Sequence, residues 1–88
     1  MKTIHKFQID VVGAQTVFMP DGAEILAVQV QRNRPCIWAL VDPAAPIIEY
    51  TIFTHGTGHT VNENAGRYIG TYQLDGGAFI AHVFKGRA

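Results

Sequence analysis

Short stretches of alternating apolar and polar residues, separated by turn-forming residues, run along the whole chain. The clearest covers residues 25–31. Its alternation predicts that Leu26, Val28 and Val30 share a buried face, because successive side chains of a strand point to opposite sides. Residues 36–41 are instead apolar on both faces, which is typical of a central strand. Both stretches are therefore predicted as β-strands.

The same reasoning extends over the rest of the chain. Turn signals include Pro20-Asp21-Gly22, a hairpin loop at residues 32–35, a loop with two prolines at residues 42–46, and Asp75-Gly76-Gly77, which requires positive φ. No window has a convincing helical period of 3.6 residues. Further strands are predicted at residues 5–9, 16–19, 48–53, 67–74 and 78–84.

The number of strands sets the fold class. About six or seven strands in 88 residues predict one all-β domain over residues 1–88. We expect either a small antiparallel β-sandwich or a partly open barrel.

Composition adds an expectation about assembly. Apolar residues make up 48% of the chain and charged residues only 16%, against a typical charged fraction of about a quarter. Such a chain is expected to bury apolar surface in a second copy, so we predict a homo-oligomer that forms through an edge strand or an apolar sheet face. Seven basic and seven acidic residues cancel, so neither nucleic acid nor a membrane is an expected partner.

Several classes of chemistry are not expected. The chain contains no serine, which excludes a serine hydrolase. The single cysteine, Cys36, cannot form an internal disulfide and is predicted to be a buried, inert thiol. The first residues lack the apolar core of a signal peptide, and no apolar run approaches the roughly 20 residues of a membrane span. We expect a soluble cytoplasmic protein that is not an enzyme and has no cofactor.

The segment His-Gly-Thr-Gly-His at residues 55–59 concentrates the candidate chemistry. Glycines on both sides of a threonine leave backbone N–H groups accessible, and such groups can form an anion-binding nest. A simple tight turn, with His59 capping it by a backbone hydrogen bond, is the alternative interpretation. The candidate ligand-binding residues are Gly56, Thr57, Gly58, His59 and Arg67.

A metal site at this segment is not predicted. His55 and His59 are four residues apart, but the intervening glycines argue against a helix that would align their rings. Further ligands would have to come from distant parts of the chain. His82 lies in a strand on the face of Ile80 and Phe84, where a hydrogen-bonded, partly buried histidine is expected.

Aromatic residues provide candidate contacts with a partner. Trp38, Tyr68 and Tyr72 are the predicted interface residues, and packing into the core is the alternative for each. Arg32 and Arg34 complement a negative partner if the fold brings them together with Arg67. Otherwise they form a solvated hairpin tip.

Five segments of the chain carry a family resemblance. Residues 25–31 (ILAVQVQ), 36–43 (CIWALVDP), 56–59 (GTGH), 68–74 (YIGTYQL) and 82–84 (HVF) resemble a family of small uncharacterised proteins of tailed bacteriophages and prophages. The resemblance spans most of the chain. It implies an accessory phage protein in the cytoplasm of the infected bacterium, and it supplies no catalytic residues. His55 stands where the family often has an aromatic residue.

Three hypotheses for function follow from these expectations. The first is a non-enzymatic phage accessory protein that engages a host or phage protein through a β surface, with counter-defence as one such role. The second is a protein that binds or sequesters a phosphorylated small molecule, such as a nucleotide signal. The third is a structural component of the virion.

Overall fold

Seven strands form two antiparallel sheets in the computed structural model, which describes residues 1–87. The strands are β1 (Thr3–Gln8), β2 (Ala14–Pro20), β3 (Glu24–Gln31), β4 (Arg34–Val41), β5 (Ile47–Gly56), β6 (Ala65–Leu74) and β7 (Phe79–Gly86). One sheet has the order β1-β4-β3 and the other the order β2-β5-β7-β6, so β4 is the central strand of the smaller sheet, as predicted. The sheets pack as a sandwich and do not close into a barrel, which confirms the predicted all-β fold.

The hydrophobic core lies between the two sheets. Alternate residues of each strand point into this space, because the side chains of a strand alternate between its faces. Burial of apolar side chains is the main force that holds the two layers together. The largest fully buried side chains are Met19, Ile25, Ile37, Val41, Ile52 and Val83.

A β-bulge corrects the predicted face of β3. The pairing of β3 with β4 shifts register between Ile25 and Ala27. An extra residue at a bulge reverses the alternation beyond it. Ile25 and Val28 are therefore buried, Val30 is half-buried, and Leu26 is 44% exposed. The prediction was right for Val28 and wrong for Leu26.

The hairpin turns are tighter than the sequence indicated. Arg32 and Asn33 alone connect β3 to β4, with φ of +52° and +63°. Arg34 and Pro35, which were predicted to lie in the loop, already belong to β4. The predicted turn at Asp75–Gly77 is confirmed, and all of its residues have positive φ.

The two sheets meet where β3 packs against β6. The Arg67 guanidinium donates a hydrogen bond of 2.8 Å to the carbonyl oxygen of Ile25. Gly70 lies so close to Val28 that a Cβ atom on Gly70 would be 2.9 Å from Val28 Cγ1. A residue without a side chain at position 70 therefore permits the close approach of these two strands.

A crossover segment, residues 57–64, connects β5 to β6 over the outer face of the four-stranded sheet. These strands run parallel on either side of β7, so the connection must return along the sheet. The backbone N–H of Asn62 donates a hydrogen bond of 2.9 Å to Nε2 of His55. Ile52 and Thr54 point into the core, so His55, the next residue along the strand, points to the outer face. The hydrogen bond to its ring therefore holds the segment on that face.

Candidate functional site

The predicted ligand-binding segment forms a tight turn at the end of β5. The N–H of His59 donates a hydrogen bond of 3.1 Å to the carbonyl oxygen of Gly56. Gly58 has φ of +85°, which glycine adopts without steric cost. The His59 ring lies against Gly56, where a Cβ atom would be 3.0 Å from two ring atoms. Turn geometry accounts for Gly58, and the packing of the His59 ring accounts for Gly56.

Thr57 belongs to a chain of hydrogen bonds across the outer face of the four-stranded sheet. Its Oγ1 lies 2.7 Å from Nε2 of His82, and Thr71 Oγ1 lies 2.9 Å from Nδ1 of the same ring. The Tyr68 hydroxyl lies 2.5 Å from Thr71 Oγ1. Since a neutral imidazole has one donor and one acceptor, the His82 ring is held on both sides. These hydrogen bonds connect Thr57 with Tyr68, two residues that the sequence analysis had placed in separate candidate sites.

His55 anchors the crossover segment. Its ring stacks on Phe53 at 6.4 Å and meets the edge of Phe84 at 5.6 Å between centroids. Nε2 accepts the Asn62 N–H, so the proton of the neutral ring is on Nδ1, which is buried and has no hydrogen-bond partner within residues 1–87. Among those residues, no group of three or more His, Cys, Asp or Glu could hold a metal ion. We assign His55 a structural role.

Arg67 does not join the turn. Gly56 and Tyr72 both lie opposite Ala81, whereas Arg67 is near the other end of β6, roughly 15 Å away at about 3.3 Å per residue. Its guanidinium is bound to the carbonyl of Ile25, as described above. A depression of about 270 Å³ does lie beside the turn, but in the described chain no lysine or arginine lines it. The lining residues are Gly56, Thr57, His59, Ala78, Phe79 and Ile80.

The outer face of the three-stranded sheet carries large apolar side chains that face solvent. Trp38 and Leu40 of the central strand are half-buried there. Ile4 lies opposite Leu40 and is 57% exposed. We define the Trp38 face as Ile4, Leu26, Ala27, Trp38 and Leu40.

One cation lies over the Trp38 face. Lys6 is directly opposite Trp38 on the neighbouring strand, and its Nζ is 5.9 Å from the centroid of the indole ring. The same ammonium donates a hydrogen bond of 2.7 Å to Oε1 of Gln31. A cation above an aromatic ring is attracted by the ring's negative face. The Trp38 face is thus apolar at its centre, with one positive charge over the Trp38 ring.

The other two predicted interface residues lie in different environments. Tyr68 is 52% exposed on the outer face of the four-stranded sheet, with its ring 5.4 Å from that of Phe84. Tyr72 is 3% exposed and belongs to the core. Its hydroxyl has no partner within residues 1–87, and burial raises the pKa of Tyr72. Because Trp38 and Tyr68 are on different sheets and Tyr72 is buried, the three residues do not form a single surface.

Tyr50 fixes the turn between β2 and β3, a role that the sequence did not predict. Its hydroxyl donates a hydrogen bond of 2.8 Å to the Pro20 carbonyl and accepts one of 3.1 Å from the Ala23 N–H. A depression of about 430 Å³ adjoins this turn, and Lys85 Nζ lies 5.7 Å from the tyrosine ring centroid. Pairing a turn signal with a distant tyrosine requires the strand order, which spacing alone does not provide.

The fold and these surfaces define a small all-β domain in which a crossover segment lies over part of the outer face of one sheet, whereas the outer face of the other sheet is open. Residues 1–88 match a family model described as a domain of unknown function (DUF7352), and the chain belongs to that family. The resemblance to a family of uncharacterised proteins over most of the chain is confirmed at this level. No curated protein and no solved structure matches the chain. Within residues 1–87, no helix is long and apolar enough to span a membrane.

Proposed function

We propose that this protein is a non-enzymatic binding domain that engages another protein through the Trp38 face. The observation that supports this proposal is the group of large apolar side chains on an outward-facing sheet surface. An antiparallel sheet with one solvated face ordinarily alternates apolar residues inward and polar residues outward. The rows of Ile4 with Leu40, and of Trp38 with Ala27, depart from that pattern.

The composition of the Trp38 face suits a protein partner. Tryptophan is enriched among the residues that dominate binding energy at protein interfaces. Transfer of an exposed leucine or isoleucine side chain out of water is worth about 1.5–3 kcal/mol when burial is complete. Burial of Ile4 and Leu26 by a partner would therefore each contribute part of that free energy to binding. Glu24, opposite Leu40, provides a charge at the rim. An apolar centre with charges at its edge is the usual arrangement of such a surface.

The resemblance to phage proteins supplies the proposed biological setting. In that setting the protein acts in the cytoplasm of an infected bacterium as a phage accessory protein, its partner is a host or phage protein, and counter-defence is one role it would serve. Homo-oligomer formation through an edge strand or a sheet face remains part of this proposal and rests on the low charge content of the chain.

Affinity capture from infected cells with matched variants tests the proposal. Trp38→Glu places a charge at the centre of the Trp38 face. Phe18→Glu is the control, because Phe18 is 58% exposed on β2 of the other sheet. We expect one partner to enrich with the wild-type chain and with Phe18→Glu but not with Trp38→Glu. Equal enrichment by the two variants, or no enriched protein at all, would contradict the proposal.

A small-molecule binder is the second candidate, favoured by the depression beside the Gly56–His59 turn. A panel of nucleotides tests it by thermal shift, since a ligand that binds the folded state raises its stability. No shift with any nucleotide would end this alternative. The third candidate, a structural virion component, requires that the protein co-purify with phage particles.

A further inference from the structure

We propose that the tip of the β3–β4 hairpin, together with the segment after β1, forms a binding site for a phosphate monoester. The site is separate from the Trp38 face and from the Gly56–His59 turn, and it goes beyond the function proposed above. Its ligand class is a small molecule that carries a terminal phosphate on a hydroxyl-bearing body, such as a nucleoside or sugar monophosphate. The chemistry that recognises this class comes from Arg32, Arg34 and Asp10.

The hairpin tip and the segment after β1 enclose a depression of about 370 Å³. Its shape is fixed by a backbone hydrogen bond of 3.0 Å from the N–H of Ile9 to the carbonyl of Pro35, which ties the end of the first strand to the start of β4. Gln15 holds the same segment through two hydrogen bonds with the backbone of Asp10, one of 2.9 Å and one of 2.8 Å. Both walls of the depression are therefore anchored.

Two guanidinium groups of this depression are free to bind an anion. Within residues 1–87, the arginine side chains that donate hydrogen bonds are Arg67 and Arg87. Arg32 and Arg34 donate none and are exposed at the depression. Guanidinium groups bind phosphate oxygens in a bidentate, charge-assisted manner, which makes arginine a preferred residue for phosphate recognition. Arg32 and Arg34 both line this depression, whereas Arg67, which the sequence analysis grouped with them, binds the carbonyl of Ile25 elsewhere.

The remaining lining residues restrict the rest of the ligand. Asp10 is the one carboxylate that lines the depression within the described chain. A carboxylate accepts hydrogen bonds and repels a second anionic group. Val11 is 47% exposed and presents an apolar contact. A ligand with one phosphate end and an uncharged body with hydroxyl donors satisfies all of these groups, whereas a polyanion does not.

The backbone at the tip is a second and independent observation. A two-residue hairpin turn with positive φ at both positions favours Asn-Gly or a similar pair. Asn33 meets that preference, but Arg32 holds φ of +52°, a conformation that is costly for an L-residue with a long side chain. The requirements of the turn do not explain an arginine at this position. Non-glycine residues in such conformations cluster at active sites and ligand-binding sites.

The first experiment measures binding of inorganic phosphate and of adenosine monophosphate to the full chain by isothermal titration, with ionic strength held constant by chloride. A dinucleoside phosphodiester that lacks a terminal phosphate is the third probe. We expect inorganic phosphate and adenosine monophosphate both to bind, and adenosine monophosphate to bind more tightly of the two. The diester should bind at least tenfold more weakly than adenosine monophosphate. Absence of phosphate binding, or equal affinity for the diester, would overturn the proposal.

Variants separate this site from general charge effects. Arg34→Gln should weaken binding of adenosine monophosphate at least tenfold, whereas Lys2→Gln, which removes one positive charge outside the depression, should leave it unchanged. Arg32→Gly should abolish binding and also raise the Tm of the free protein by about 4 °C, because glycine relieves the positive φ. Wild-type affinity in both arginine variants, or an equal loss in Lys2→Gln, would contradict the site.

Discussion

The outer faces of the two sheets differ in the exposure of their large apolar side chains. On the four-stranded sheet, Phe53 points outward yet is only 8% exposed, because the His55 ring stacks on it and Phe84 lies directly opposite on β7. On the three-stranded sheet, Ile4 and Leu26 point outward and stay in solvent. The chain thus covers the Phe53 region of one outer face, on which Phe18 and Tyr68 stay exposed, and leaves the Trp38 face open. The difference indicates that the open face is available to a partner, since exposed apolar patches commonly mark interaction sites.

The largest expected effect concerns the covered face. Phe53→Ala should lower the free energy of unfolding by about 3 kcal/mol, because a nearly buried aromatic ring leaves a cavity when it is removed. Phe18→Ala is the matched control on the same sheet, since Phe18 is 58% exposed; it should cost less than about 1 kcal/mol. Chemical denaturation of both variants measures the difference. Equal costs would show that His55 and Phe84 do not bury Phe53.

The second-largest loss of stability is expected at His55, which anchors the crossover segment. His55→Ala removes the acceptor of the Asn62 N–H and the ring that stacks on Phe53. We expect a loss of about 2 kcal/mol from the hydrogen bond and the packing together. Hydrogen exchange should also show faster exchange of the amides in residues 57–64, with β4 amides unaffected. Unchanged protection of the segment would contradict the anchoring role of His55.

One substitution in the core between the two sheets is expected to stabilise the protein. Tyr72→Phe removes a buried hydroxyl without a partner and should raise the free energy of unfolding by about 1 kcal/mol. Burial raises the pKa of Tyr72 above its usual value, so the unfolded chain ionises first and stability falls as the pH rises above about 10. Denaturation at pH 8 and pH 11 should show a smaller alkaline loss in Tyr72→Phe, whereas Tyr68→Phe should not reduce it.

The smallest effect on stability is expected on the open face. Ile4→Ser and Leu26→Ser replace side chains that are largely in solvent, so each should change the free energy of unfolding by less than about 0.5 kcal/mol. Both variants should elute earlier than the wild-type chain from a hydrophobic interaction column. A stability loss close to that of Phe53→Ala would mean that the Trp38 face is buried in solution, for example in a second copy.

Local patterns predicted the strands and turns because those features depend on neighbouring residues. The alternation around residue 28 and the Asp75–Gly77 turn are of this kind. The exposure of Leu26 was not predictable, because the bulge depends on the register with β4. The separation of Arg67 from the Gly56–His59 turn depends on the strand order β5-β7-β6, which no local pattern encodes.

The same limit applies to the candidate sites. The hydrogen bonds through His82 require that His82 pair with Thr71 on the neighbouring strand. The register between these two strands is irregular, so the sequence does not predict this pairing. Trp38 was identified from residue type and a central strand, and the structure adds that its neighbours Ile4 and Leu26 face solvent with it. Sequence thus identified candidate residues, whereas only the fold could group them into surfaces.

Photo-crosslinking in infected cells tests the central claim most directly. Benzoylphenylalanine replaces Trp38 in one variant and Phe18 in another, so that each outer face carries one probe. The account predicts a discrete crosslinked protein from position 38 and none from position 18. Crosslinks of equal yield from both positions, or none from position 38 in a folded protein, would contradict the assignment of the open face as the binding surface.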